Sequence, residues 1–299
     1  MNFCTLFNKD YLARGLLLYE SLEEQLKDGF KLYVYTFDYE SYDYLRVLKL
    51  KNLVPIKLED FENNNLKNIK KDRSAVEYFW TCTPFIIDFS LETYQIDHCI
   101  YLDADLFFFN SPQLILNELS ENHSILITEH DYYYLYDQSE TSGKYCVQFL
   151  YFKNDHNGKK ALSWWKTQCL NWCYNRHEDG KFGDQKYIEQ FPKLFEGVHV
   201  LQNNQMALAP WNVRKYLKFA ENNFPVFYHY HAVKYLKNKL FFLGYYKLNR
   251  QVVDKYYRTY LVKLYATKLL GKQEISLSYL EKVKIIIKNW FNFNHTLKV

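Results

Sequence analysis

The chain has 299 residues, of which 48% are hydrophobic and 24% charged, with a formal net charge of +4. That length supports one large domain whose core needs no disulfide or metal staple, while only 9 Gly and 6 Pro exclude collagen and low-complexity disorder. No apolar run is long enough for a transmembrane helix, and the opening Met1-Asn-Phe-Cys-Thr-Leu-Phe lacks a secretory leader's basic and apolar regions, so a cytoplasmic protein with free thiols is expected.

Residues 2–7 (NFCTLF) read as a short apolar strand. Asp10 is placed to cap an amphipathic helix through YLARGLLLYESLEEQL. A strand over 31–37, a helix over about 40–50 and a strand at 54–58 follow. The polar stretch 61–73 (FENNNLKNIKKDR) reads as a loop before a helix over about 74–91. An apolar strand then runs into Asp103-Ala-Asp105, and Pro112 opens another helix. Strands are expected at 124–128 and 146–152, a Trp-rich helix at about 159–175, a helix from 184 to 190 after a Gly turn, and a late strand at 225–231 (PVFYHYH). This alternation predicts an α/β domain with a mixed, mostly parallel sheet flanked by helices.

Two side-chain patterns carry chemistry. In CIYLDAD an apolar strand ends on two carboxylates. Ligands of open α/β sheets bind at the carboxyl ends of strands. Residues two apart on a continued strand share a face, so Asp103 and Asp105 offer two hard oxygen ligands to Mg²⁺ or Mn²⁺. A cation there can stabilise a diphosphate leaving group. Phosphatases with a nucleophilic D-x-D-x-[TV] are disfavoured, because the fifth position is Phe107. Cys169, Cys173 and His177 stand at i, i+4 and i+8, but on a helix the outer pair lie about 12 Å apart, so a buried face is the better reading than a metal site. The second pattern is charge: residues 232–299 carry a net +11 and the rest −7. The basic, amphipathic segment Tyr279–Phe293 (YLEKVKIIIKNWFNF) suits either packing on the body of the protein or peripheral contact with an anionic membrane. Nucleic-acid binding finds no supporting motif.

These motifs, in this order, resemble the GT-A fold nucleotide-diphospho-sugar glycosyltransferases of the glycogenin and lipopolysaccharide-galactosyltransferase type (family 8-like). The resemblance covers about residues 2–240. It rests on CTLFNKDYLARGLLLYESL, YLDADLFFF, GDQKYI and PVFYHYHAVKYL. WW, WCY, DGKFGDQKY and LAPWN add a likeness to bacterial transferases of surface-polysaccharide clusters. The resemblance implies a GT-A catalytic domain over 1–240 and a basic helical extension over 241–299. It implies a metal-dependent transferase moving a sugar from a nucleotide diphosphate, UDP above all, to a glycan or lipid-linked glycan.

Residue by residue, Asp103, Asp105 and His229 would hold Mn²⁺ or Mg²⁺, with His231 as the competing ligand. Thr5, Leu6, Tyr11, Arg14 and Lys234 would bind the nucleotide, and Asp184 and Gln185 would address the reacting carbon. Thr83, Ala104, Cys146 and Gln148 would line the donor-sugar pocket, and Trp211 and Asn212 an acceptor cleft. The chain departs from the family's pattern at Thr83 (usually Arg), at Cys146-Val-Gln148 (usually Asn-x-Gly) and at Ala232 (usually Gly), with Lys234 one residue early. Donor identity and stereochemical outcome are therefore not carried over. A non-catalytic sugar-nucleotide-binding or scaffold protein stands as the alternative. A sugar nucleotidyltransferase is weaker, since Phe7-Asn8-Lys9-Asp10 is not a Gly-rich basic loop.

Overall fold

The computed structural model describes residues 1–270 and 295–299. The Tyr279–Phe293 segment, and with it the membrane-contact reading, lies outside the described residues. Seven strands form the main sheet: β1 (Asn2–Phe7), β2 (Lys31–Thr36), β3 (Leu53–Lys57), β4 (His98–Leu102), β6 (Ile125–Glu129), β7 (Tyr145–Lys153) and β8 (Val198–Val200), in the order β3-β2-β1-β4-β7-β6-β8. From β3 to β4 all pairs are parallel. β7 is antiparallel to both β4 and β6, and β8 is parallel to β6. The sheet is thus mixed.

The mostly apolar β1 is buried on both faces. Phe3 and Phe7 point into one core with Leu18 and Leu22 of helix α1 (Leu12–Leu26). Cys4 and Leu6 point into the opposite core with Cys82 and Ile86. Those two belong to α5 (Ala75–Thr93), which Ser74 and Glu77 open with a reciprocal capping box. Before α5 stand α2 (Tyr39–Leu48), capped by Asp38, and the short helices α3 (Leu58–Phe61) and α4 (Asn64–Lys70). Most of the stretch read as a loop is therefore helical. The Asn63 side chain caps α4, and Leu66 is buried. Asp10 does not cap α1: its carboxylate accepts from the Asn8 amide, and Tyr11 holds the cap position without a side-chain bond.

Helix α6 (His156–Asn171) ends before Cys173, so Cys169, Cys173 and His177 share no helical face. The segment 185–190 is a 3₁₀ helix. A second sheet joins β5 (Leu106–Phe108), β10 (Phe227–His229) and β9 (Ala207–Leu208), and a third joins β11 (Lys234–Lys237), β12 (Leu240–Phe242) and β13 (Thr296–Lys298). Helix α7 (Arg258–Ala266) docks on α1, where Lys263 pairs with Glu20 and Glu24. Between them Tyr228, Tyr230, Tyr256, Tyr257 and Tyr260 are fully buried, Tyr230 and Tyr260 stacked at 3.6 Å. Much of the high tyrosine content is therefore core. Among the described residues no helix is long and apolar enough to cross a membrane.

Candidate active site at the carboxyl ends of β1 and β4

From β1 the chain winds outward through β2 to β3, then returns to the other side of β1 as β4. This reversal is a topological switch point, where neighbouring connections diverge and leave a crevice. The β1–β4 ladder pairs only Phe3 with Ile100 and Cys4 with Tyr101. Beyond it, Thr5 and Leu6 on one strand and Asp103 to Asp105 after the other flank that crevice.

The two aspartates do not lie on a continued strand. β4 stops at Leu102, the chain turns through Asp103, Ala104 and Asp105, and β5 begins at Leu106. The Leu106 amide donates to the Asp103 carbonyl at 3.3 Å. The carboxylates are thus set by a turn rather than by strand alternation. Antiparallel pairing with β10 then sets His229 opposite Leu106, and the Tyr230 amide donates to the Asp105 carbonyl at 2.9 Å. His229 Nε2 thereby lies 3.0 Å from Asp105 Oδ1 and 3.8 Å from Asp103 Oδ2.

On the other flank, the β4–β7 register continues past its last pair, and the Asp103 amide donates to the Gln148 carbonyl at 3.1 Å. The buried Gln148 side chain accepts from His229 Nδ1 at 2.9 Å. An amide oxygen in that place selects the Nδ1–H tautomer and directs Nε2 at the aspartates. Tyr101 donates its hydroxyl to Asp103 Oδ1 at 3.0 Å. The family resemblance places Gln148 in the sugar pocket and gives Tyr101 no role. Both act on the carboxylate–imidazole set, and only strand register reveals it.

The electrostatics follow from burial. Asp103 is pushed up to about 6 by desolvation, partly offset by His229, with Asp105 adding repulsion. Asp105 is desolvated too, but His229 dominates and holds it down at about 2. Burial depresses His229, yet Asp105 and Asp103 raise it overall. Two carboxylates and one oriented imidazole nitrogen form a donor set that suits a divalent cation such as Mn²⁺ or Mg²⁺. The Cys146 Sγ, buried on β7, also lies within 4.8 Å of ligand atoms of Asp103 and His229.

His231 is a different case. It follows the end of β10, is exposed, and its ring meets His229 edge-on at 5.8 Å. Among the described residues, the one cluster of three His, Cys, Asp or Glu ligand atoms within metal-binding reach is Asp103, Cys146 and His229, which includes neither His231 nor Asp105; Asp105 joins through its 3.0 Å contact with His229 Nε2.

Asp184 is buried, with one carboxylate oxygen unpartnered. Gly183, at φ +52°, turns the chain into it, and a side chain there would meet the Trp80 ring. Trp165 of α6 donates its indole N–H to the Asp184 carbonyl at 2.9 Å. Desolvation raises the carboxyl to about 7 against the Thr83 hydroxyl, with Asp103 adding repulsion. Asp184 does not cap the following helix through its side chain. The Gln185 amide donates to the Ser142 carbonyl at 2.6 Å.

Other expected residues have settled roles. Arg14 is buried and donates to the carbonyls of Asp10 and Val233 at 2.9 and 2.7 Å, so its guanidinium braces the α1 start against the β10–β11 turn instead of reaching outward for a phosphate. Its guanidinium carbon lies 4.5 Å from the centre of the Tyr11 ring, which is 40% exposed beside the crevice. Lys234 opens β11, paired with Phe242. Ala104 is buried between the aspartates. Asn212 is not available to an acceptor: it is fully buried, accepts from the Ala209 amide, and donates to the carbonyls of His130 and Ala207. Trp211, only 3% exposed, donates to the His130 carbonyl and packs edge-on against His229 at 5.1 Å, forming a wall of the site.

His130, behind that wall, donates Nδ1–H to the Gly143 carbonyl. Burial drops it to about 3, against the pull of that bond. Between pH 6.5 and about 3 the unfolded chain binds a proton that the folded chain refuses. Stability should therefore fall on acidification, by about 2 kcal/mol from pH 7 to 5 for this one group. Urea midpoints at both pH values should move less in His130→Asn; an equal movement refutes the assignment.

No family model matches the chain. YfnF of Bacillus subtilis strain 168, described as an uncharacterized protein, is 30% identical over 218 residues, covering 70% of this chain and 71% of YfnF. YfnD of the same organism, described likewise, is 26% identical over 279 residues and covers 88% of each chain. Among solved structures, galactosyltransferase LgtC with donor and acceptor sugar analogs aligns at a TM-score of 0.53 and 15% identity, over 93% of this chain and 98% of that one. The glycosyltransferase GlyE of Streptococcus pneumoniae TIGR4 aligns at 0.53 and 14% identity, over 99% and 64%. This chain has the GT-A fold of those enzymes.

Proposed function

We propose that this chain, which belongs to the family of YfnF of Bacillus subtilis, is a metal-dependent, family 8-like glycosyltransferase that takes a nucleotide-diphosphate sugar, UDP-linked, as donor. The acceptor class that accords with the likeness to polysaccharide-cluster transferases is a glycan or lipid-linked glycan. The observation that carries the reading is the Asp103–Asp105–His229 set at the switch point, with His229 locked by Gln148.

Asp103, Asp105 and His229 would hold Mn²⁺ or Mg²⁺, whose charge stabilises the leaving diphosphate. The crevice edge at Thr5 and Leu6 and the exposed ring of Tyr11 would receive the base. Asp184, buried and unpartnered on one oxygen, would meet the donor sugar's hydroxyls, as acceptor or donor according to its proton. Trp211 excludes water from the back of His229. Lys234 and Gln185 are retained as candidates for the diphosphate and the transferred sugar.

The test is thermal stabilisation by UDP and a panel of UDP-sugars, with and without Mn²⁺. A ligand at 100 times its dissociation constant stabilises the folded chain by about 2.7 kcal/mol. The midpoint should rise only when nucleotide and metal are both present. A rise with nucleotide alone favours a metal-independent binding protein, and no rise with any nucleotide refutes the reading.

A further inference from the structure

Two ligand sets overlap after β4. Asp103, Asp105 and His229 form the first, all oxygen and nitrogen. In the second, a carboxylate oxygen of Asp103, the Sγ of Cys146 and an imidazole nitrogen of His229 lie within 4.8 Å of one another. Cys146 and Gln148, which holds His229, stand on β7 where its pairing with β6 shifts register. The thiol is buried, against Trp211 and Ala209. Beside it the Gln148 side-chain nitrogen is fully buried and lacks a partner.

Sulfur changes what the site selects. Carboxylates with imidazole suit Mg²⁺ and Mn²⁺, whereas thiolate draws Zn²⁺ and Cd²⁺. We propose that Cys146 completes a second, thiophilic cation site sharing Asp103 and His229 with the first, so that Zn²⁺ or Cd²⁺ displaces Mn²⁺ and blocks nucleotide binding. The proposal rests on the reading of Asp103 and His229 as metal ligands. On binding, the Cys146 S–H bond breaks, a sulfur–metal bond forms, and the proton passes to solvent. Sharing two ligands makes occupancy exclusive: one dication or the other is held, not both.

The probe is Cd²⁺ titrated into the full chain under a phosphine reductant. The readout is the thiolate-to-cadmium absorption in the ultraviolet. Wild type should show the band at one equivalent, and excess Mn²⁺ should suppress it. Cys146→Ser and Cys146→Ala should both lose it and bind Cd²⁺ at least about tenfold more weakly. Cys169→Ser, whose thiol lies buried in the core away from the set, should keep it. A band that survives in both Cys146 variants overturns the proposal, as does a wild-type band that Mn²⁺ leaves untouched. If wild type shows no band yet binds UDP with Mn²⁺, the thiophilic site falls and the transferase reading stands. If the band depends on Cys146 but Mn²⁺ supports no nucleotide binding, the converse holds.

Discussion

Asp105→Ala should lower the affinity for UDP in the presence of Mn²⁺ by at least about 10³-fold, with sugar transfer falling as far. A bound dication supplies several kcal/mol of charge stabilisation to a leaving diphosphate, and each 1.36 kcal/mol is a factor of ten. Asp105 is the better of the two aspartates for this test. Only 6% of it is exposed, and against that burial His229 holds its carboxyl down at about 2. His229 thus favours the charged form of Asp105, whereas burial pushes the Asp103 carboxyl up. Asp105→Asn keeps the shape and removes the charge, so it should behave like Ala if charge is what matters.

Gln148→Leu provides the graded companion. It leaves the three proposed ligands in place but takes away the acceptor for His229 Nδ1–H. Losses of roughly 10–100-fold in metal affinity are typical of such orienting partners. Titration calorimetry with Mn²⁺, then with UDP at saturating Mn²⁺, separates the two effects. Wild-type Mn²⁺ affinity in Asp105→Ala would remove the carboxylate from the ligand set. Undiminished affinity in Gln148→Leu would reduce that amide to packing.

The largest stability loss is expected at Trp165→Ala, about 3–5 kcal/mol. The indole is fully buried beneath the sheet, against Phe152 and Phe191 at ring separations of 6.3 and 5.9 Å. Its removal leaves a cavity that α6 and β7, both anchored along their lengths, cannot close. Trp165→Phe separates packing from hydrogen bonding. It keeps most of the ring but leaves the Asp184 carbonyl without its donor, which costs about 1–3 kcal/mol. Urea denaturation of the three proteins should rank them wild type, Phe, Ala. Because the same indole holds the Asp184 backbone, Trp165→Phe should also lower transfer more than it lowers Mn²⁺-dependent UDP binding. Equal loss in both would mean that Asp184 is positioned by the Gly183 turn alone.

Legibility in the sequence followed the range of the interaction. The strands and helices around β1, α1, β2, α2 and β3 were readable because hydrophobic periodicity is a local property, and so were the carboxylates ending an apolar strand. Errors gathered where a few residues decide. Asp10 reads as a cap that it does not form: its carboxylate accepts from Asn8, and Tyr11 stands at the cap position. The polar stretch after residue 61 folds into α4 because a single Asn63 cap and a single buried leucine are enough, and neither stands out against lysines and asparagines.

The α/β class, the acidic pair and the histidine motif are all carried by contiguous residues and are legible one stretch at a time. How they meet follows from the folded chain. It set His229 rather than His231 beside Asp105, made Gln148 its orienting partner, brought Cys146 within reach of the ligands, and closed Asn212 into the interior. The first three depend on strand pairing between segments about 40 to 120 residues apart, and the last on a turn whose third bond reaches His130. A shift of one residue would turn every side chain to the other face. Register is fixed by the packing of the whole sheet, and that leaves no mark in any local stretch of chain.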